Sequence, residues 1–204
     1  MTKRSLIALA GALSMFAVTA AHAGDSGWYV GANLGTSDYS SLIDDSETGI
    51  PGGVPKNNSS TASGWSVLGG YQLYKWLGLE ASYFDMGSAS ADIGNGIVTA
   101  NYKLNGESID AVLSSSTQGW GVFGKVGVTA AHVDEPISAS GLSDDATDNS
   151  TILDLGVGVS YGMANGWGFR LGFTQYHNAG STNSTTATGQ GDVNFIYVGA
   201  LYRF

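Results

Sequence analysis

Cysteine is absent from the 204 residues, which excludes a disulfide framework and any thiolate metal site. Proline occurs only three times, at Pro51, Pro55 and Pro136. Basic residues are scarce, with 8 Lys and Arg against 17 Asp and Glu and a net charge of −9. A chain this acidic lacks the cations that displace counterions from phosphates, so no nucleic-acid partner is expected. It also argues against a basic protein of the membrane surface. Long apolar runs are missing beyond the N-terminal stretch, so no later helix is expected to span a bilayer, which takes about 20 apolar residues.

The N-terminal stretch reads as an export signal. Lys3 and Arg4 form its basic start, Leu6 to Val18 its apolar middle, and Ala21-His22-Ala23 its cleavage site. The apolar part is too short for a membrane span. Cleavage after Ala23 removes residues 1–23 and leaves residues 24–204, 181 residues, as one domain. The leader holds 2 of the 8 basic residues and no acid, so the mature chain carries a net charge of −11.

What the chain does have is glycine, 31 residues of it, and a repeated two-residue alternation. Trp28, Val30, Ala32 and Leu34 share one face of a strand, opposite Tyr29, Gly31, Asn33 and Gly35. Similar segments run over 65–73, 76–86, 102–113, 120–132, 151–161, 167–176 and 193–204. Their connections alternate between short turns, at 73–75, 114–119 and 163–166, and longer polar loops at 38–63, 87–101, 133–149 and 177–190. All three prolines fall in the loops, where no ladder donor is lost. Trp28, Trp76, Trp120 and Trp167 open the odd-numbered strands and so share one end, the interface girdle of a membrane barrel, with Trp65 at the other end. A soluble sandwich explains the alternation but not this one-sided row. The predicted fold is all-β, an eight-stranded antiparallel up-and-down transmembrane β-barrel with short periplasmic turns and long extracellular loops.

Five short motifs then invite comparison with a family. Trp28-Tyr29-Val30-Gly31-Ala32-Asn33-Leu34-Gly35, Gly69-Gly70-Tyr71-Gln72, Gly78-Leu79-Glu80, Phe169-Arg170-Leu171 and Leu201-Tyr202-Arg203-Phe204 occur in order. Together they resemble the eight-stranded transmembrane domain of OmpA-like outer-membrane proteins, across essentially the whole mature chain except the long loops. The resemblance implies the outer membrane of a Gram-negative bacterium, contact with outer-membrane lipids and lipopolysaccharide, no cofactor and a monomer. It makes Gly199, Tyr202 and Phe204 the assembly signal read by the barrel-assembly machinery, with periplasmic chaperones escorting the chain. Tyr197 departs from the more polar residue usual in that signal. Larger family members append a periplasmic peptidoglycan-binding domain, which is not expected here because the sequence stops at Phe204.

An eight-stranded barrel is just wide enough for side chains to fill it, and parity points Glu80, Asp110, Lys125, Asp154 and Arg170 inward. Unpaired burial of such groups is costly, so they are expected to pair. The resemblance implies that Glu80 and Arg170 match a lumen Glu–Arg pair and Lys125 another basic lumen position. Gly172 replaces the family's acid beside the Arg. Two readings follow: a gate that opens a narrow low-conductance pore by exchanging ion-pair partners, or a structural polar plug. Glu107 is awkward, since strict alternation turns it toward lipid. A bulge near Gly106 or a register error in strand four is expected instead.

The enzyme reading is a lipid A-modifying hydrolase. In lipid A deacylases His and Ser lie two apart before an Asn-Ala-Gly-like turn, whereas Gln175-Tyr176-His177-Asn178-Ala179-Gly180 puts Gln175 and His177 at those positions. The nucleophile is missing, Ser181 has no evident orienting acid beside His177, and no catalytic residue is assigned. Asp44-Asp45 and Asp144-Asp145 supply oxygen ligands for divalent ions, but without the spacing of an ordered calcium loop, so no metal site is assigned. The acidic loops also admit a surface adhesion or receptor role. The expectation is an integral barrel with a structural, membrane-integrity role.

Overall fold

The computed structural model describes residues 27–41, 57–93, 98–139, 142–181 and 189–204. The leader 1–23, Asp44, Asp45, Pro51 and Pro55 lie outside them. Among the described residues nine strands appear in chain order: β1 (Gly27–Asp38), β2 (Asn57–Ser59), β3 (Thr61–Tyr74), β4 (Leu77–Ile93), β5 (Val98–Ser114), β6 (Gly119–Ala139), β7 (Leu142–Gly162), β8 (Trp167–Ser181) and β9 (Gly189–Arg203). Eight close into an antiparallel ring in which each strand pairs with its sequence neighbours, and β1 joins β9. Closure removes the free edges that a long amphipathic strand would otherwise present. The three-residue β2 stands apart from the ring, paired with β4.

Alternation fixes the faces. Leu34, Ile109, Val157 and Val198 are more than 60% exposed on the outside, while Tyr29, Thr129, Asp154 and Phe195 are 2% exposed or less inside. An apolar exterior around a partly polar interior is the inside-out pattern of a barrel solvated by lipid.

At the end closed by short turns, each of the four strand-opening tryptophans touches an outward tyrosine. Trp28 meets Tyr71, Trp76 stacks on Tyr74, Trp120 meets Tyr161 and Trp167 meets Tyr202, with ring centroids 5.0, 5.9, 5.2 and 5.3 Å apart. Trp76 itself lies in the turn, and its strand starts at Leu77. Tyr202 also packs against Phe204 at 5.3 Å, and the Phe204 amide donates to Trp28 O. Trp65 and Tyr83, 5.8 Å apart, mark the girdle at the opposite end.

Three sequence expectations need correction. The stretches 87–101 and 133–149 are largely strand: β4 and β5 pair out to Ile93↔Val98, and β6 and β7 out to Ala139↔Leu142. Turn-forming residues suggested loops there, but a hairpin ladder needs only backbone donors and acceptors and continues beyond the apolar zone. Asp144 and Asp145 therefore lie on β7. Pro136 lies on β6 opposite Asp145, at a step where β6 has no β5 partner, so the missing amide breaks no rung on that side. Glu107 does face outward. Gly106 pairs with Phe84 and Ala131 in unbroken register, and the irregularity in the β4–β5 ladder is at 85–88, on β4. Glu107 is tolerated because its neighbour Tyr83 belongs to the outer girdle, within side-chain reach of polar surroundings.

Inside, toward the hairpin end, Tyr39, Phe84, Met86, Leu104, Val193 and Phe195 are all buried to 1–2% exposure or below. Phe84 packs on Tyr176 with ring centroids 4.8 Å apart, and the Tyr39 hydroxyl donates to Gly87 O at 3.0 Å, tying the end of β1 to β4 past β3. At the turn end, Tyr29, Leu68 and Leu201 form a smaller apolar cluster. Arg203 Nη1 donates to Thr117 O at 3.2 Å, tying the β5–β6 turn to β9 across that mouth.

Candidate functional site in the barrel interior

Between the two apolar layers lies a belt of charge. Register sets Glu80 on β4 beside Asp110 on β5, and Asp110 on one side of Gly127 with Asp154 on the other. Gly127 is needed at this point, since a Cβ there would run into the Asp110 carboxylate. Lys125, two residues along β6, and Arg170 on β8 supply the cations. Every sequence-assigned lumen residue points inward: Glu80, Asp110 and Asp154 are 4%, 1% and 0% exposed, Arg170 is 7% exposed, and the Lys125 side chain is 8% exposed.

The ions fall into two groups. In the first, Arg170 Nη1 donates to both carboxylate oxygens of Glu80 at 3.0 and 3.2 Å. Arg170 Nε donates to Asn33 Oδ1 at 2.9 Å, Asn33 Nδ2 donates to Ser66 Oγ at 2.7 Å, and the Tyr29 hydroxyl donates to Glu80 at 3.0 Å. The guanidinium also lies over the rings of Tyr197 and Phe123, at 5.5 and 5.8 Å. Such cation–π contacts are stronger when water is excluded.

In the second group, Lys125 Nζ lies 3.2 Å from Asp110 Oδ1 and 3.5 Å from Asp154 Oδ1. Ser108 donates to Asp110 and Thr129 to Asp154, both at 2.8 Å. A gap of about 10 Å³, lined by Glu80, Lys125, Arg170, Thr174 and Tyr197 among others, separates the two groups, room for about one water.

Sequence reasoning missed Tyr29, Asn33 and Ser66 as partners of the ion pair. Parity placed Tyr29 and Asn33 inside, but only closure of β1 against β9 brings Asn33 to Arg170. It also missed the acid beside His177. Asp192 Oδ1 is 2.8 Å from His177 Nδ1, and the Asp192 carboxylate also accepts from Gln175 Nε2 at 3.0 Å and the Asn178 amide at 3.1 Å. Asp192 is distant in sequence and arrives only through β8–β9 pairing, where it braces the irregularity between Tyr176 and Ala179. Asn178 there adopts a left-handed φ of 55°. This cluster faces outward on the hairpin side and is separate from the buried belt.

The model of the outer membrane protein beta-barrel domain matches residues 8–204. Outer membrane protein A of Serratia marcescens is 28% identical over 99% of this chain and 56% of its own length. The protein of that name from Shigella flexneri is 29% identical over the same shares. The chain thus spans about half the length of these curated relatives. Among solved structures, Neisserial surface protein A superposes with a TM-score of 0.56 at 15% identity, over 88% of this chain and 99% of that one. Ail of Yersinia pestis, crystallised with the heparin analogue sucrose octasulfate, gives 0.51 at 13% identity, over 87% and 99%. At such identities the likeness shows the fold alone. With a closed lipid-facing barrel, paired aromatic girdles and a match over nearly its whole length, the chain belongs to the outer membrane protein beta-barrel domain family and is an integral protein of the Gram-negative outer membrane.

Proposed function

We propose that the protein is a structural component of the outer membrane, a barrel that occupies and seals its section of the bilayer. The observation that carries this reading is the filled interior. The apolar layer of Phe84, Met86, Leu104 and Phe195 lies above the charged belt, and the Arg203–Thr117 contact lies below it. An eight-stranded barrel has no width to spare for a channel around such a filling. Its expected surroundings are outer-membrane lipids and lipopolysaccharide, reached through export on the leader and insertion by the barrel-assembly machinery.

A second reading, a narrow pore gated by the lumen ion pairs, draws support from the proximity of Lys125 and Arg170 around one small gap. Exchange of Glu80 between these cations would be the gating step. Planar-bilayer recording separates the two. The structural reading expects no conductance steps above the lipid baseline in the parent, in Glu80→Ala or in Arg170→Ala. Steps in the parent that either substitution alters would overturn it in favour of the gate.

The hydrolase and adhesion readings have less behind them. His177 and Asp192 form a base–acid pair, but the Asp192 carboxylate is also held by Gln175 and by the Asn178 amide at a strand irregularity. Incubation with lipid A should release no fatty acid.

A further inference from the structure

The outer wall of the barrel has a dent near the turn end. Gly124 of β6 faces outward between Val122 and Val126, paired with Leu113 of β5 on one side and Val157 of β7 on the other. A Cβ built on Gly124 would meet nothing nearer than Gly156 O at 3.8 Å, so the backbone is bare there. Leu113 and Val157, 50% and 61% exposed, flank it. They stand two strand spacings apart, about 9.6 Å. The result is an apolar groove of about 890 Å³, walled by Leu113, Val122, Val157 and Val159 around Gly124, with Trp76 at its turn end.

The turn end of the groove is pinned. The Ser114 amide donates to Trp76 O and the Ser115 amide to Val122 O, both at 2.9 Å. The Val122 amide donates to Ser115 Oγ at 2.9 Å. The shape is therefore set before anything enters it.

Place and charge select the occupant. The groove opens to lipid at the end closed by short turns, which in such barrels is the periplasmic one. A channel one strand wide takes a single acyl chain, whereas the convex wall of a second barrel would span it. A second copy also brings a net charge of −9 against the same charge. An anionic headgroup meets a cation instead. Lys75, exposed, directly precedes Trp76, and Tyr74 stacks on Trp76 as an interfacial aromatic. No Asp or Glu lies on the turn segments 73–76, 114–119 and 162–167.

We propose that this groove binds one diacyl phospholipid of the periplasmic leaflet, with an acyl chain laid against Gly124 and the phosphate beside Lys75. Within the bilayer the chain gains nothing by leaving water, so selectivity comes from close packing on the bare backbone and from the headgroup charge.

Native mass spectrometry of the full barrel released from detergent micelles tests this, with dioleoylphosphatidylglycerol as the probe. The parent should take up one lipid in preference to several. Gly124→Leu should weaken that uptake about ten-fold, the equivalent of about two buried methylenes. Ala32→Leu, an outward change on β1 across the ring, should leave it unaltered. Dioleoylglycerol, which lacks the phosphate, should bind the parent more weakly than the probe, and Lys75→Ala should bring the two lipids to equal uptake. That arm uses a surface turn and stands even if Gly124→Leu does not fold. A statistical series of lipid adducts, alike in the parent and Gly124→Leu, would overturn the proposal, and so would equal uptake of the two lipids by the parent. A parent dimer that Gly124→Leu converts to monomer would also overturn it, placing a second copy in the groove.

Discussion

The Asn33 side chain of β1 fills the space that Gly199 of β9 leaves open. A Cβ on Gly199 would collide with Asn33 Oδ1, the atom that accepts from Arg170 Nε. The glycine that the family resemblance assigns to an assembly signal thus has a second, local reason to be glycine. Gly199→Ala should displace Asn33 and strip Arg170 of one partner. Overpacking of this kind typically costs about 1–3 kcal/mol. Urea unfolding in micelles should show that loss, and a double-mutant cycle with Asn33→Ala should give a clearly non-additive result. Additive losses would mean that Gly199 acts on stability independently of the Asn33 side chain.

Glu80 and Arg170 should cost more to remove singly than together. Removing either partner leaves a buried charge with its hydrogen bonds broken, a change that costs about 3–5 kcal/mol in buried pairs. Glu80→Gln with Arg170→Met together removes both charges at similar volume and should recover most of that loss. The measurement is again the unfolding free energy of the three variants. A double variant as unstable as the worse single one would show that the Tyr29 and Asn33 contacts, and not the charges, hold the layer.

Most of the architecture could be read in the chain because one signal, two-residue alternation, repeats in eight places and fixes both strand identity and facing. Glu80 and Arg170 were visible as inward charges for the same reason. Their partners were not, because Asn33 reaches Arg170 only after β1 closes on β9. The extended β6–β7 hairpin was hidden for a different reason: Asp, Ser and Pro136 obey turn statistics, while the ladder depends on backbone groups common to every residue. The apolar layer was legible but unread, since Phe84, Leu104 and Phe195 stand at the same inward parity as the charges below them. Asp192 beside His177 required knowledge of the β8–β9 register.

Glu107 offers a measure of depth. It faces outward next to Tyr83, while Ile109, 64% exposed two residues along, faces lipid closer to the middle. Glu107→Ala should change stability by no more than about 1 kcal/mol, as for charges near an interface. Ile109→Lys should cost about 2–4 kcal/mol if that position lies at the bilayer midplane. Both are read as unfolding free energies in lipid vesicles. Equal effects at the two sites would place Glu107 at the same depth as Ile109.

The apolar layer, and not the ion pair, should be what limits permeation. Breaking the Glu80–Arg170 contact frees polar groups in the belt, but a path through the barrel must still cross Phe84 and Phe195, both buried and packed against Tyr176 and Tyr197. An apolar constriction of that width excludes water and therefore ions. Glu80→Ala should thus remain silent in planar bilayers. Adding Phe84→Ala and Phe195→Ala removes the rings at a stability cost of about 3–5 kcal/mol each. If the barrel stays folded, as judged by its migration unboiled on a denaturing gel, the triple variant should show small conductance steps that the single variant lacks. Conductance in Glu80→Ala alone would identify the ion pair as the barrier and return the interior to the gated reading.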